Sequence, residues 1–285
     1  MKIGIIGAGK VGIALGYAFK QKGFTVVAVS SRREESLEMA KGYLGFDPVY
    51  TTDNREVASL ADLVAVTTQD REIGNVALQV SGLGDALKGK TFFHTSGAHP
   101  AVELSPLNSH GCHLGSFHPL QTFPDIDSGI AALPETYIFI EGDEEARAGL
   151  ETLARAVGID SVAIDSRNKV LYHLSAVFVC NLLTALLFSG EAIMERATID
   201  LKPFYPIIRA TLKNIESKGP LASLTGPVVR GDAGTVASHL SAMEGMGLHE
   251  RVYKALSLVA VEMADQRKAL TEEQRDALTA LLGST

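Results

Sequence analysis

A chain of 285 residues with 46% hydrophobic and 21% charged positions has room for two domains and enough apolar material for a sizeable core, which excludes the disordered and fibrous classes. Its 26 Lys plus Arg against 33 Asp plus Glu give a net charge of −7, so there is no basic excess to neutralise phosphates and no nucleic-acid partner is expected. Two cysteines, Cys112 and Cys180, cannot build a disulfide framework and suit a reducing compartment.

Met1 leads straight into a strand-like segment without the pattern of an export signal, so a cytoplasmic location is expected. Strands are predicted over 2–6, 24–29, 49–51, 62–67, 91–94, 136–140 and 161–164, where short β-branched or apolar runs lie between turn residues. Helical spacing fills 11–22, 33–42, a segment capped by Asp53, 70–80 and 144–157. Strands alternating with helices at this interval predict a doubly wound parallel sheet of the Rossmann kind over residues 1–165. From Asp165 onward only helical patterns follow, over 167–196, 202–217, 234–243, 250–268 and 271–282, so residues 166–285 are read as an all-helical domain. The longest apolar stretch, 174–188, is broken by Ser175, Asn181 and Thr184. It reads as too short and too polar to span a bilayer and as a buried helix, so no membrane is expected. A helix with this much apolar surface predicts a homodimer formed through the helical domain.

The first predicted strand runs into Gly7-Ala8-Gly9-Lys10-Val11-Gly12, a GxGxxG turn opening a helix. Gly7 permits the tight turn, Gly9 lets the backbone approach a pyrophosphate, and Gly12 allows close helix–strand packing, while the helix start offers free N–H groups to the phosphates. Past the second strand, where an NAD site presents an acid to the ribose, the chain has Ser30, Ser31, Arg32 and Arg33. Hydroxyls and guanidiniums suit a 2′-phosphate, which favours NADP. Thr67 and Gln69, at the end of the fourth strand, are expected on the nicotinamide side, with Asp70 as a helix cap.

Five histidines fall between His94 and His118, but their spacing matches no metal motif and no metal is expected. Ser96 and Gly97, just past the fifth strand, are candidate substrate contacts. So is His118, within a polar and aromatic loop over 115–123. Further on, Lys169, His173 and Asn181 recur at helical intervals and are expected to share one face turned toward a cleft. Reduction of a carbonyl or imine needs a proton donor, and Lys169 and His173 are both candidates.

The Gly7–Gly12 fingerprint, the block GSFHPLQTF over 115–123, the stretch KVLYHLSAVFVCN over 169–181, and Leu224-Thr225-Gly226-Pro227 leading to Arg230-Gly231-Asp232 together give a resemblance over essentially the whole chain. The chain resembles the Rossmann-like oxidoreductases with an uncharacterised all-helical C-terminal domain, distantly similar to ketopantoate reductase, pyrroline-5-carboxylate reductase and the β-hydroxyacid dehydrogenases. The resemblance implies an NADP-dependent reductase acting between its domains on a small 2-oxo acid of the ketopantoate type. A pyrroline-5-carboxylate-like imine reductase, or a non-catalytic NADP-binding sensor, is the alternative. It also implies a helix Lys followed four residues on by Asn; here Lys169 matches, but His173 stands at that interval and Asn181 two turns later. Arg230 is the candidate clamp for a substrate carboxylate.

Overall fold

The computed structural model describes residues 1–283. The chain forms two compact units, Met1–Phe178 and Val179–Thr285. The first unit holds eight strands, β1 (Lys2–Ile6), β2 (Thr25–Ser30), β3 (Val49–Thr51), β4 (Leu63–Val66), β5 (Thr91–His94), β6 (His113–Pro119), β7 (Tyr137–Gly142) and β8 (Asp160–Ala163). They make one sheet in the order β3-β2-β1-β4-β5-β6-β7-β8. The strand order reverses direction between β1 and β4, and ligands of open α/β sheets bind outside the carboxyl ends at such a point.

Alternation along the strands supplies two cores. Ile3, Ile5, Ala65 and Phe93 are buried on one face, where Phe19 of α1 (Lys10–Gln21) and Leu150 of α6 (Glu144–Val157) meet them. Ile6, Val64, Val66 and Phe92 are buried on the other, against Val57 of α3 (Asn54–Leu60) and Val76 of α4 (Ile73–Ser81). The remaining helices of this unit are α2 (Glu34–Leu44), α5 (Ile126–Ala132) and α7 (Lys169–Ala176).

The strand reading is corrected at one segment. The segment 115–123 is not a loop throughout: residues 115–119 belong to β6, hidden in the sequence because Gly, Ser, His and Pro are poor strand formers. The sheet is therefore mixed, since β6 pairs parallel with β5 but antiparallel with β7.

The strands end at Ala163, yet the compact units divide only after Phe178, beyond the boundary expected at Asp165. α7 stays with the first unit because Lys169 and Tyr172 are bonded to β6. A π-helical turn, Val177–Asn181, carries the chain onward.

The second unit comprises α8 (Leu182–Arg196), α9 (Tyr205–Ser223), α10 (Ala233–Ala242), α11 (Gly247–Gln266) and α12 (Glu272–Gly283). Its core is thin, with Val228, Val236, Val261, Leu278 and Leu282 as the buried apolar cluster. The apolar stretch expected to be a buried helix is instead exposed within the single chain, with Phe178 at 62% and Phe188 at 65%. The full run Ser166–Arg196 is, by length and composition alone, long and apolar enough to cross a membrane.

Candidate active site

The turn from β1 into α1 has the geometry its glycines require. Gly7 sits at φ 110°, in the region that side chains disfavour, and its N–H and that of Ala8 both donate to Ser30 O. A Cβ on Gly12 would lie 2.3 Å from Gly7 O and 2.4 Å from Thr67 Oγ1, so helix and turn touch without room for a methyl group. At Gly9, by contrast, nothing lies within 4 Å of where a Cβ would be. α1 begins there with no side-chain cap and no acidic residue in its first turn, leaving the N–H groups and the positive dipole end to an outside anion. A pyrophosphate fits this opening. Lys10, at the first helical position, donates its ammonium to Pro124 O, and Val11 is half-buried on the core side.

The residues past β2 divide in role. Ser30 is fully buried, and its hydroxyl donates to Asn54 Oδ1 beneath the turn, so it supports the site and is not free to hold a phosphate. Ser31 is half-buried and its Oγ accepts from Arg33 N. Arg32 and Arg33 are exposed where α2 begins, and Arg32 lies 3.9 Å from the carboxylate of Glu72. Thr67 is also supporting: its hydroxyl donates to Gly7 O at 2.6 Å. The neighbouring Thr68 is the better ligand group, because its Oγ1 is buried without a hydrogen-bond partner. Gln69 is exposed at the start of the turn Asp70–Glu72. Asp70 does more than cap, since its Oδ2 accepts from Ser96 Oγ at 2.9 Å.

The carboxyl ends of β5 and β6 carry a second set of groups. Register places His94 beside Ser116, and Ser116 beside Glu141, as one row across three strands. All three are buried, and Lys169 joins them at 1% exposure. Its ammonium donates to Ser116 Oγ and lies 3.9 Å from Glu141 Oε2. Glu141 also accepts from Ala101 N at 2.8 Å and Ser166 Oγ at 2.6 Å, and Ser116 Oγ donates to it at 3.3 Å. Burial pushes Lys169 down to about 8, with Glu141 and Asp70 opposing the shift. Lys169 is therefore buried inside the first unit rather than on the wall of an open cleft.

His94 accepts from Ser96 N through Nδ1 and approaches Pro100 O through Nε2 at 3.1 Å, which fixes the proton on Nε2. Burial, and then the Lys169 charge, hold it down at about 3. His118 Nδ1 lies 2.7 Å from Tyr172 Oη, and Tyr172 stacks on Phe139 with ring centroids 4.1 Å apart. Burial and Lys169 likewise lower His118 to about 4. A Cβ on Gly97 would meet His118 Nε2 and His173 Nδ1, each at 2.8 Å, so both imidazoles converge on this glycine. Ser96 is committed to the loop, accepting from Ala98 N and His99 N while it donates to Asp70.

The structure thus brings Ser96, Gly97, His118 and His173 together, with Lys169 behind them. It also adds Glu141 and Tyr172, which the sequence reading passed over. Glu141 had a signal: a carboxylate in the otherwise apolar strand YIFIEG must be paired to be tolerated. Asn181 closes the π-turn Val177–Asn181 and is exposed in the second unit. Arg230 is exposed in the same unit. The histidines of 94–118 are dispersed, with His99 beside Asp70 and Glu103 and His113 beside Asp143 and Glu145.

Two family models match the chain, and their bounds differ from those of the two compact units. Residues 1–119 match the model of a Rossmann-like domain, and residues 136–260 match that of a domain of unknown function, DUF2520. The chain carries a Rossmann-like domain followed by a DUF2520 domain. The polar cluster draws on both: His94, Ser116 and His118 lie in the Rossmann-like segment, Glu141, Lys169, Tyr172 and His173 in the DUF2520 segment.

A proposed NADP oxidoreductase from Bacteroides fragilis is similar at 28% identity and a TM-score of 0.75, over 92% of this chain and 98% of that one. A Thermotoga maritima protein is similar at 20% identity and 0.73, over 94% and 100%. Pyrroline carboxylate reductase from Plasmodium falciparum, solved with NADP bound, shares the fold at 14% identity and 0.58, over 100% and 98%. No curated protein matches the sequence.

Proposed function

We propose that the chain is an NADPH-dependent oxidoreductase that reduces a small 2-oxo acid of the ketopantoate type. The observation that carries this reading is the β1–α1 turn, where Gly9 opens onto an uncapped helix start while Gly7 and Gly12 are held by close backbone contacts. Gly7 to Gly12 would hold the pyrophosphate, Ser31, Arg32 and Arg33 the 2′-phosphate, and Thr68 the nicotinamide side. Bound there, the cofactor supplies a hydride and thus the electron pair that converts a carbonyl to an alcohol. His118, His173 and Gly97, at the same edge of the sheet, would receive the reacting group. The similarity to an NADP oxidoreductase over nearly the whole chain supports this reading. The fold shared with pyrroline carboxylate reductase keeps a cyclic imine as the second candidate substrate.

The same reading takes the exposed apolar helices as the surface of a homodimer, with Val179, Phe188, Ile207 and Leu248 all more than 60% exposed in the single chain. The test is NADPH oxidation against a panel of 2-oxo acids and cyclic imines. Sustained turnover of a 2-oxo acid is expected; silence across the panel, with NADPH bound, would leave a protein that senses the cofactor without chemistry.

A further inference from the structure

Tyr172 and His118 form a unit whose polarity can be read from its hydrogen bond. Tyr172 Oη has no other hydrogen-bond partner among the described residues, so its one proton is assigned to His118 Nδ1 at 2.7 Å and the ring proton to Nε2. Burial drives Tyr172 well above its ordinary value, which keeps that hydroxyl protonated. The Nε2 edge has no hydrogen-bond partner among the described residues, and it is not among the buried atoms left unpaired, unlike His173 Nδ1. A partnerless N–H that is not sealed is available to a ligand. Its position is fixed by Gly97, whose missing side chain lets Nε2 approach the backbone.

The charges that act on the ring itself oppose a cation there, while the carboxylate of Asp70 is engaged by Ser96. Lys169 and His173 face it from α7 and both lower its proton affinity, and His94 on β5 is itself held neutral under the same lysine. The carboxylate of Glu141 is taken up by Lys169, Ser166, Ser116 and the backbone of Ala101. We infer that His118, locked by Tyr172 as a neutral Nε2–H tautomer, donates a hydrogen bond to the oxygen of a carbonyl substrate, and that the site selects carbonyl compounds over cationic imines. This rests on the reductase reading above. A protonated imine nitrogen has no lone pair to accept the Nε2 proton and is repelled by the Lys169 charge, whereas a carbonyl oxygen gaining negative charge is stabilised by both groups. The carbonyl carbon takes up the hydride, the π electron pair passes to the oxygen, and the oxygen is protonated from water. NADPH thus becomes NADP⁺ as the 2-oxo acid becomes a 2-hydroxy acid. Tyr172 is a positioning residue; His118 touches the substrate.

Two readouts test this. In protein labelled with ¹⁵N-histidine, long-range proton–nitrogen correlation spectra report the tautomer directly, with His118 assigned by loss of its signals in His118→Asn. The wild type is expected to show the neutral Nε2–H form at pH 7, and Tyr172→Phe a mixture of tautomers. An Nδ1–H or doubly protonated ring in the wild type, or an unchanged ring in Tyr172→Phe, overturns the inference whatever the activity. In kinetics, His118→Asn is expected to lower kcat for 2-oxo acids by about 10²-fold and Tyr172→Phe by less, with NADPH affinity unchanged. Turnover of 1-pyrroline-5-carboxylate but of no 2-oxo acid overturns the inference while leaving the reductase reading intact. Failure to bind NADPH overturns both.

Discussion

Lys169 and Glu141 are opposite charges buried together, and each is tolerated because the other and a ring of hydrogen bonds surround it. Lys169→Met removes the cation and leaves a buried carboxylate, and about 3–5 kcal/mol of stability should be lost in urea unfolding. The pH dependence has a definite sign. The folded pKa of about 8 lies below the ordinary 10.5, so between these values the unfolded chain binds more protons and stability rises with pH. Wild type should show this rise from pH 8 toward 10 relative to Lys169→Met, which lacks it. The buried histidines act on the acid side. With His94 at about 3 and His118 at about 4, against 6.5 unfolded, their contribution is complete above pH 6.5 and is lost as pH falls toward their folded values. Unfolding at pH 5 should take up about two protons from these rings, measurable by calorimetry in buffers of different ionisation enthalpy.

Among elements, the β1–α1 turn gives the sharpest contrast. Gly12→Ala forces a methyl into Gly7 O and Thr67 Oγ1 and should destabilise the fold by about 1–3 kcal/mol. Gly9→Ala meets nothing in the protein, so thermal unfolding should be unchanged while NADPH affinity falls roughly tenfold or more, about 1.4 kcal/mol. This turn was legible in the sequence because the spacing of three glycines encodes its geometry. The buried strands β1, β2 and β4 were legible too, as short apolar runs. β6 was not: its residues GSFHP are selected for the site they build, and local propensity gives way to strand pairing on both sides. The π-turn Val177–Asn181 was not legible either, since it leaves no mark in a count that assumes regular helix. The partners of Lys169 come from β6 and β7, more than twenty residues away in the chain, and only the sheet register brings them together.

For the whole molecule, the thin core of the helical unit and its exposed apolar side chains set the expectation of a dimer. Sedimentation equilibrium should return twice the 30.3 kDa of one chain, and a monomer at micromolar concentration would remove that part of the account. The central claim is that the first unit grips a 2′-phosphorylated nicotinamide coenzyme through the open Gly9 turn and the guanidiniums of Arg32 and Arg33. Isothermal titration calorimetry with NADPH and NADH, on wild type and on the Arg32→Ala/Arg33→Ala double variant, tests it most directly. The account predicts that NADPH binds the wild type at least roughly tenfold more tightly than NADH, with the double variant losing that preference. Absence of heat with either coenzyme, or tighter binding of NADH, would contradict it.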